Sequence, residues 1–276
     1  MPKRAIGIFD SGLGGLTVVR AVAERLPSER LVYLGDTARV PYGTKSAETV
    51  ERYSLMSARF LLGRDIKLLL VACNTASAFA LPRLHAELPI PVLGAVEPGA
   101  DEAVRATVRG QIGVLGTLGT VHSNAYVRAI AAHNSALHVT QVACPLLVPL
   151  VEEGWLGEGT GLEPIATRAT VERYLGELAL KAPDLDVLVL GCTHYPLLWA
   201  PISEAAIRLW PHPVTLVDSA HAMAQAAETV LREQGALAPA GPREPLRCYV
   251  TDEARFSEIA ARFLGTPPAL VEKVDL

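Results

Sequence analysis

Ile66 to Ala72 is an almost unbroken apolar run, bounded by Arg64-Asp65 on one side and Cys73-Asn74 on the other. A short apolar run between polar boundaries is the pattern of a strand buried on both faces of a parallel sheet. Comparable runs predict strands at Ala5–Asp10, Leu31–Leu34 and Val92–Val96 in the first half of the chain. The second half offers Gln111–Leu115, Val139–Val142, Val187–Leu190 and Thr215–Val217. Between them the period lengthens: Ser46–Leu62 puts Val50, Tyr53, Ser57 and Leu61 on one helical face. Strands alternating with helices predict parallel βα units and an α/β fold.

The pattern repeats. Ile6-Gly7-Ile8-Phe9-Asp10-Ser11-Gly12 is answered by Ile112-Gly113-Val114-Leu115-Gly116-Thr117-Leu118, and the strand ending in Cys73 by the strand ending in Cys192. The two copies lie about 110 residues apart, the scale of one domain. The last strand of each half runs directly into a helix, from Gly99 and from Ser219, and these are read as the crossings between domains. The first domain is therefore expected to comprise 1–98 and 220–276, the second 99–219. After Ala220 the Pro/Gly-rich loop Gly235–Pro245 leads to a strand over Leu246–Val250, a helix over Asp252–Leu264 and a short tail.

Composition narrows the setting. The 276 residues suffice for two ordinary domains, and 50% hydrophobic with 20% charged residues is a globular balance. A net charge of -4 makes no electrostatic case for nucleic acid or an anionic membrane. Met1-Pro2-Lys3-Arg4 leads straight into the first strand without an apolar signal segment, and no stretch approaches the roughly 20 apolar residues that span a bilayer. Four cysteines, none close together, fit a reducing compartment better than a disulfide framework, so a cytoplasmic protein is expected. There is no C-x-x-C, and the seven histidines are scattered, so no metal site is predicted.

Candidate chemistry gathers at strand ends, where open α/β sheets bind their ligands. Asp10-Ser11-Gly12-Leu13-Gly14-Gly15 follows the first strand, and Asp36 ends the second, an arrangement that invites a dinucleotide reading. Thr17 at the third glycine position and the charge of Asp10 weigh against it. An acid and a hydroxyl aimed at a ligand, with glycines permitting close backbone approach, is the alternative. Pro41-Tyr42-Gly43 is a turn by composition and can offer backbone N–H groups to a carboxylate.

Unpaired cysteine usually just packs, and Cys144 and Cys248 fit that description. Cys73 and Cys192 differ. Each is followed by polar residues at an expected helix start (Asn74-Thr75 as caps, Thr193-His194), where the dipole and free N–H groups lower a thiol pKa. They also occupy equivalent points of the repeat. His194 beside Cys192 is a candidate to stabilise a thiolate or pass a proton, and Glu152 to orient it, although a solvated acid reads equally well there. Two thiols facing one ligand suit removal of a proton from one face of a carbon and delivery to the other. None of the five lysines stands in a recognisable Schiff-base motif, so no cofactor is expected.

Taken together, Asp10-Ser11-Gly12-x-Gly14-Gly15, Pro41-Tyr42-Gly43, Cys73-Asn74-Thr75 and Gly191-Cys192-Thr193-His194-Tyr195-Pro196 resemble the glutamate racemase family, over nearly the whole chain and in order. The resemblance implies a cofactor-independent two-base racemase interconverting L- and D-glutamate and supplying D-glutamate for peptidoglycan. It implies two α/β domains related by a pseudo-twofold, with the site in the cleft between them. It further implies Cys73 and Cys192 as the acid/base pair, Cys73 acting on D-glutamate, with Asp10, His194 and Glu152 assisting. Asp10, Ser11, Pro41, Tyr42, Gly43, Asn74, Thr75, Thr193 and His194 would hold the substrate, with Thr117 and Thr120 as further contacts. The implied partners are glutamate alone, neither nucleic acid nor membrane, and a homodimer as candidate assembly. The nearest rival is a racemase for aspartate or another amino acid on the same fold. A two-domain amino-acid binding protein would need no thiols, and a thiol redox protein would use a C-x-x-C that is missing.

Overall fold

The apolar runs form two parallel sheets. In the computed structural model, which describes residues 4–242 and 244–276, the chain divides into unit 1, residues 1–95 with 220–276, and unit 2, residues 96–219. Met1–Lys3 before the first strand and Arg243 in the expected loop Gly235–Pro245 lie outside the described residues.

Unit 1 begins β1 (Ala5–Asp10), α1 (Leu16–Arg25), β2 (Leu31–Gly35), α2 (Ala47–Leu62), β3 (Ile66–Val71), α3 (Asn74–Glu87) and β4 (Val92–Gly94). Unit 2 holds α4 (Val96–Ala106), β5 (Gln111–Gly116), α5 (Leu118–Ser123), α6 (Ala125–His133), β6 (His138–Ala143), α7 (Leu147–Glu152), α8 (Leu162–Lys181), β7 (Val187–Gly191), α9 (Trp199–Leu209) and β8 (Thr215–Asp218). Then α10 (Ser219–Glu233) leads to β9 (Arg247–Val250), α11 (Phe256–Leu264) and β10 (Leu270–Lys273).

The sheet of unit 1 has the order β10-β9-β2-β1-β3-β4 and that of unit 2 β6-β5-β7-β8. Every pairing is parallel. The stretch β2-β1-β3-β4 has the same order as β6-β5-β7-β8, so β3 and β7 are the same strand of one topology. All residues of β1, β2, β3 and β7 are buried, as their mainly apolar character suits strands covered on both faces.

Several boundaries depart by more than one residue from the pattern-based expectation. The strand expected over Val92–Val96 stops at Gly94, and α4 starts at Val96 rather than Gly99, since Glu97 and Pro98 are well suited to a first helical turn. The helix expected from Asp252 starts at Phe256, because Asp252 accepts the Ala254 N–H at 2.9 Å in a turn that ends on Arg255 with φ 57. The expected tail contains a strand, β10, paired with β9. It is an edge strand with a mostly exposed pattern, too short and too polar to announce itself.

A buried ion pair joins β3 to the loop between α1 and β2. Lys67 of β3 and Glu29 are 2.6 Å apart, each side chain 2% exposed. Lys67 also donates to the Ala236 carbonyl at 2.7 Å, and the Ala238 N–H donates to Glu29 at 2.7 Å. The lysine that interrupts the β3 run thus holds down the segment after α10.

Candidate functional site

In unit 1 the register pairs Phe9 with Val71, so the chain leaves β1 at Asp10-Ser11 beside the point where it leaves β3 at Cys73. Asp10 is buried and accepts the Gly12 N–H at 2.9 Å, an Asx-type turn that bends the chain back over the sheet. The Tyr33 hydroxyl donates to the Gly12 carbonyl at 2.8 Å. A Cβ at Gly35 would lie 2.3 Å from that carbonyl, so only glycine lets β2 approach the turn this closely. Ser11 Oγ and Cys73 Sγ are 3.4 Å apart.

Cys73, not Asn74 or Thr75, caps α3. Its sulfur accepts the Ala76 N–H at 3.4 Å, and Asn74 and Thr75 are the first two helical residues, both buried. The expectation that those two side chains cap the helix is corrected: β3 ends one residue early enough for the sulfur itself to reach the first turn. The positive end of a 14-residue helix therefore points at this thiol.

Pro41-Tyr42-Gly43 leads into a short 3-10 turn over Tyr42–Thr44, with Tyr42 buried. The Tyr42 hydroxyl donates to Asp36 at 2.5 Å, and Arg39 and the Thr251 hydroxyl donate to the other oxygen of the same carboxylate, at 2.8 and 2.9 Å. Asp36 is fully buried. Its carboxylate is spent on holding this loop, which leaves no ribose-binding acid and removes the dinucleotide reading. Burial, first, and the Asp36 charge push the Tyr42 phenol far up, so it stays a donor.

Unit 2 repeats the arrangement with other side chains. Gly116 pairs with Gly191, bringing the Thr117 turn beside the Cys192 turn. Thr117 caps α5, accepting the Thr120 N–H at 3.3 Å, and the two hydroxyls are 3.0 Å apart. Cys192 and Thr193 lie in a turn before a 3-10 segment over Tyr195–Leu198, so no regular helix starts at this thiol as it does at Cys73. An imidazole stands there instead. His194 Nδ1 is 4.0 Å from Cys192 Sγ and 3.4 Å from the Thr193 hydroxyl, and Nε2 is 2.9 Å from Glu152. Glu152 comes from the end of α7, and the series carboxylate–imidazole–thiol runs inward from a half-exposed acid to a buried sulfur. Tyr195, quoted in the motif but given no role there, binds the turn to its surroundings: its hydroxyl donates to the Cys144 carbonyl at 2.9 Å and lies 3.1 Å from that of Gly116. Its place in the motif Gly191–Pro196 was the available signal.

Among the described residues no group of three or more His, Cys, Asp or Glu could hold a metal ion. No helix is long and apolar enough to cross a membrane, again among the described residues. Cys144 and Cys248 are buried, and burial pushes both thiols up, Cys248 to about 12.

The family model described as Asp/Glu/Hydantoin racemase matches residues 15–227. The chain belongs to that racemase family. Glutamate racemase of Geobacter metallireducens is 48% identical over 277 residues, covering 100% of this chain and 98% of its own. The crystal structure of glutamate racemase isoform RacE1 from Bacillus anthracis matches with a TM-score of 0.90 at 39% identity, covering 100% of this chain and 99% of that one. Glutamate racemase of Francisella tularensis, in complex with D-glutamate, matches with a TM-score of 0.89 at 32% identity, covering 100% and 98%.

His194 of this racemase-family chain carries a pH prediction. Burial opposes its charge most strongly, but the hydrogen bonds and charges of Cys192 and Glu152 together raise it from 6.5 to about 10. A folded pKa above the unfolded one stabilises the fold fully below pH 6.5, and the contribution is lost as pH rises towards 10. Denaturant midpoints of the wild type should therefore decline over that window relative to His194→Asn. Parallel curves for the two proteins would remove the imidazolium.

Proposed function

We propose that the chain interconverts L- and D-glutamate without a cofactor, Cys73 and Cys192 exchanging the Cα proton on opposite faces of the substrate. The observation that carries this reading is topological. Each cysteine leaves the same strand of the same parallel order, β3 in unit 1 and β7 in unit 2, beside a turn bearing a hydroxyl, Ser11 or Thr117. A thiol at each of two such ends is what a separate base for either face of Cα requires. The glutamate racemases among the relatives support the substrate.

In the D-to-L direction the Cys73 thiolate takes the Cα proton and becomes a thiol. The electron pair stays on Cα, conjugated with the carboxylate, and the Cys192 thiol delivers its proton to the other face, leaving a thiolate. Charge and protons balance, and the reverse reaction restores the starting state. The donors about the two thiols differ: α3 offers N–H groups at Cys73, whereas the Glu152–His194 pair sets a cation 4.0 Å from Cys192 Sγ. Asp10, Ser11, Asn74, Thr75, Thr117, Thr120 and Thr193, with the amides of Tyr42 and Gly43, are the groups assigned to the ammonium and the two carboxylates. The product would supply D-glutamate to peptidoglycan synthesis in the cytoplasm.

The direct test is L-glutamate in D₂O with dialysed protein, following optical rotation and deuterium at Cα. Rotation should fall to zero with one deuterium incorporated, unchanged by chelator or borohydride. Activity lost on dialysis and restored by pyridoxal phosphate or a metal would defeat the cofactor-free reading, and faster turnover of aspartate would replace the substrate.

A further inference from the structure

The residues that lead β7 into Cys192 are held by a buried side-chain relay. Ser219, the last residue of unit 2, donates its hydroxyl to the Leu190 carbonyl at 3.1 Å. The hydroxyl of Tyr126, from α6, hydrogen-bonds Ser219 in turn. The Ser219 hydroxyl is thus shared between the Leu190 carbonyl and the Tyr126 hydroxyl. On the other side lies the first turn of α4: a Cβ at Gly99 would stand 3.0 Å from the Tyr126 hydroxyl and 3.5 Å from Ser219 Cβ. The tyrosine ring meanwhile lies on the backbone next to the thiol. A Cβ at Gly191 would meet Tyr126 Cε2 at 3.0 Å and the Leu115 carbonyl at 2.8 Å. Tyr126 is fully buried and Ser219 is 2% exposed. A phenylalanine would fill the same space without a polar group to satisfy, so the hydroxyl is there for the arrangement it imposes.

We propose that Tyr126 is a positioning residue for Cys192, its hydroxyl fixing Leu190 through Ser219 while its ring fixes Gly191. The inference rests on the reading that Cys192 works on one face of glutamate. It ties the aim of the thiol to the first helix of unit 2 and to its last residue, the two points through which the chain enters and leaves that unit. Tyr126, Ser219, Leu190 and Gly191 all belong to unit 2, so the effect of losing the relay should be one-sided.

The test uses the full chain and the two enantiomers of a glutamate analogue bearing a leaving group at Cβ. In elimination the Cα proton goes to the thiolate, its bonding pair forms the Cα=Cβ double bond, and the leaving group departs with the Cβ bonding pair. Only the cysteine facing that proton is needed. Tyr126→Phe should slow elimination from the L form roughly 10- to 100-fold, as expected for a misaimed base, and leave the D form near wild type. The loss should fall on kcat with little change in KM. Ser219→Ala cuts the relay without touching the ring and should give the same asymmetry, the double variant being scarcely worse than either single one. Equal loss on both enantiomers, or none, would overturn the inference. Cys192→Ser is the internal reference. If it too lacks asymmetry, the assignment of Cys192 falls and this inference with it; if it is one-sided while Tyr126→Phe is not, only the positioning role falls.

Discussion

Serine at Cys73 or at Cys192 is expected to lower glutamate racemisation by roughly 10²- to 10⁴-fold, the usual worth of a positioned acid/base group. A hydroxyl is too weakly acidic to rest as the base at neutral pH, so each substitution removes one face of the reaction. The surviving thiol should still act on the enantiomer it faces. With the Cβ leaving-group analogue, Cys192→Ser should eliminate from the D form and Cys73→Ser from the L form. Cys144→Ser and Cys248→Ser should remain near wild type, since both thiols are buried and pushed up by desolvation. Racemisation retained in either active-site variant would take that cysteine out of the mechanism. Equal loss toward both enantiomers in both variants would refute the assignment of faces.

Lys67→Met should destabilise the protein by about 3–5 kcal/mol, because it leaves Glu29 charged in a site 2% exposed. For domains of this size that corresponds to a Tm lower by roughly 10 °C. Replacing both partners, Lys67→Met with Glu29→Leu, should recover part of the loss, since the pair's desolvation is then avoided altogether. A deficit of about 1–3 kcal/mol should persist, as the Ala236 carbonyl and the Ala238 N–H lose their partners. Equilibrium denaturation of the three variants measures this. A double variant no more stable than Lys67→Met would mean that the two polar backbone groups, rather than the isolated charge, set the cost.

Much of the secondary structure could be read from residue order alone. A run such as Ile66–Val71 is apolar because both faces of β3 are covered, and this is visible locally. Alternating strand and helix periods implied parallel βα units, and the two thiol-bearing strand ends were visible as a repeat. Where local reading missed, the cause lay elsewhere in the chain. β10 exists because β9 offers it an edge, and Asn74 and Thr75 were displaced as caps because the preceding sulfur reaches the Ala76 N–H.

Sequence by itself determined the family, the alternation of βα units and the placing of two cysteines at matching strand ends, since periodicity, strand termini and motif order are properties of neighbouring residues. Only the tertiary structure decided which distant groups share an atom. Asp36 has the look of a ribose-binding acid until Tyr42 and, 215 residues away, Thr251 are seen to occupy it. Lys67 looks like an interruption until Glu29 and Ala236 close around it. Glu152 was as plausible in solvent as beside His194 until the fold brought α7 to the end of β7 and left 2.9 Å between them. These partnerships depend on strand order and on desolvation, and a buried polar group finds its partner wherever the fold supplies one, at no fixed spacing along the chain.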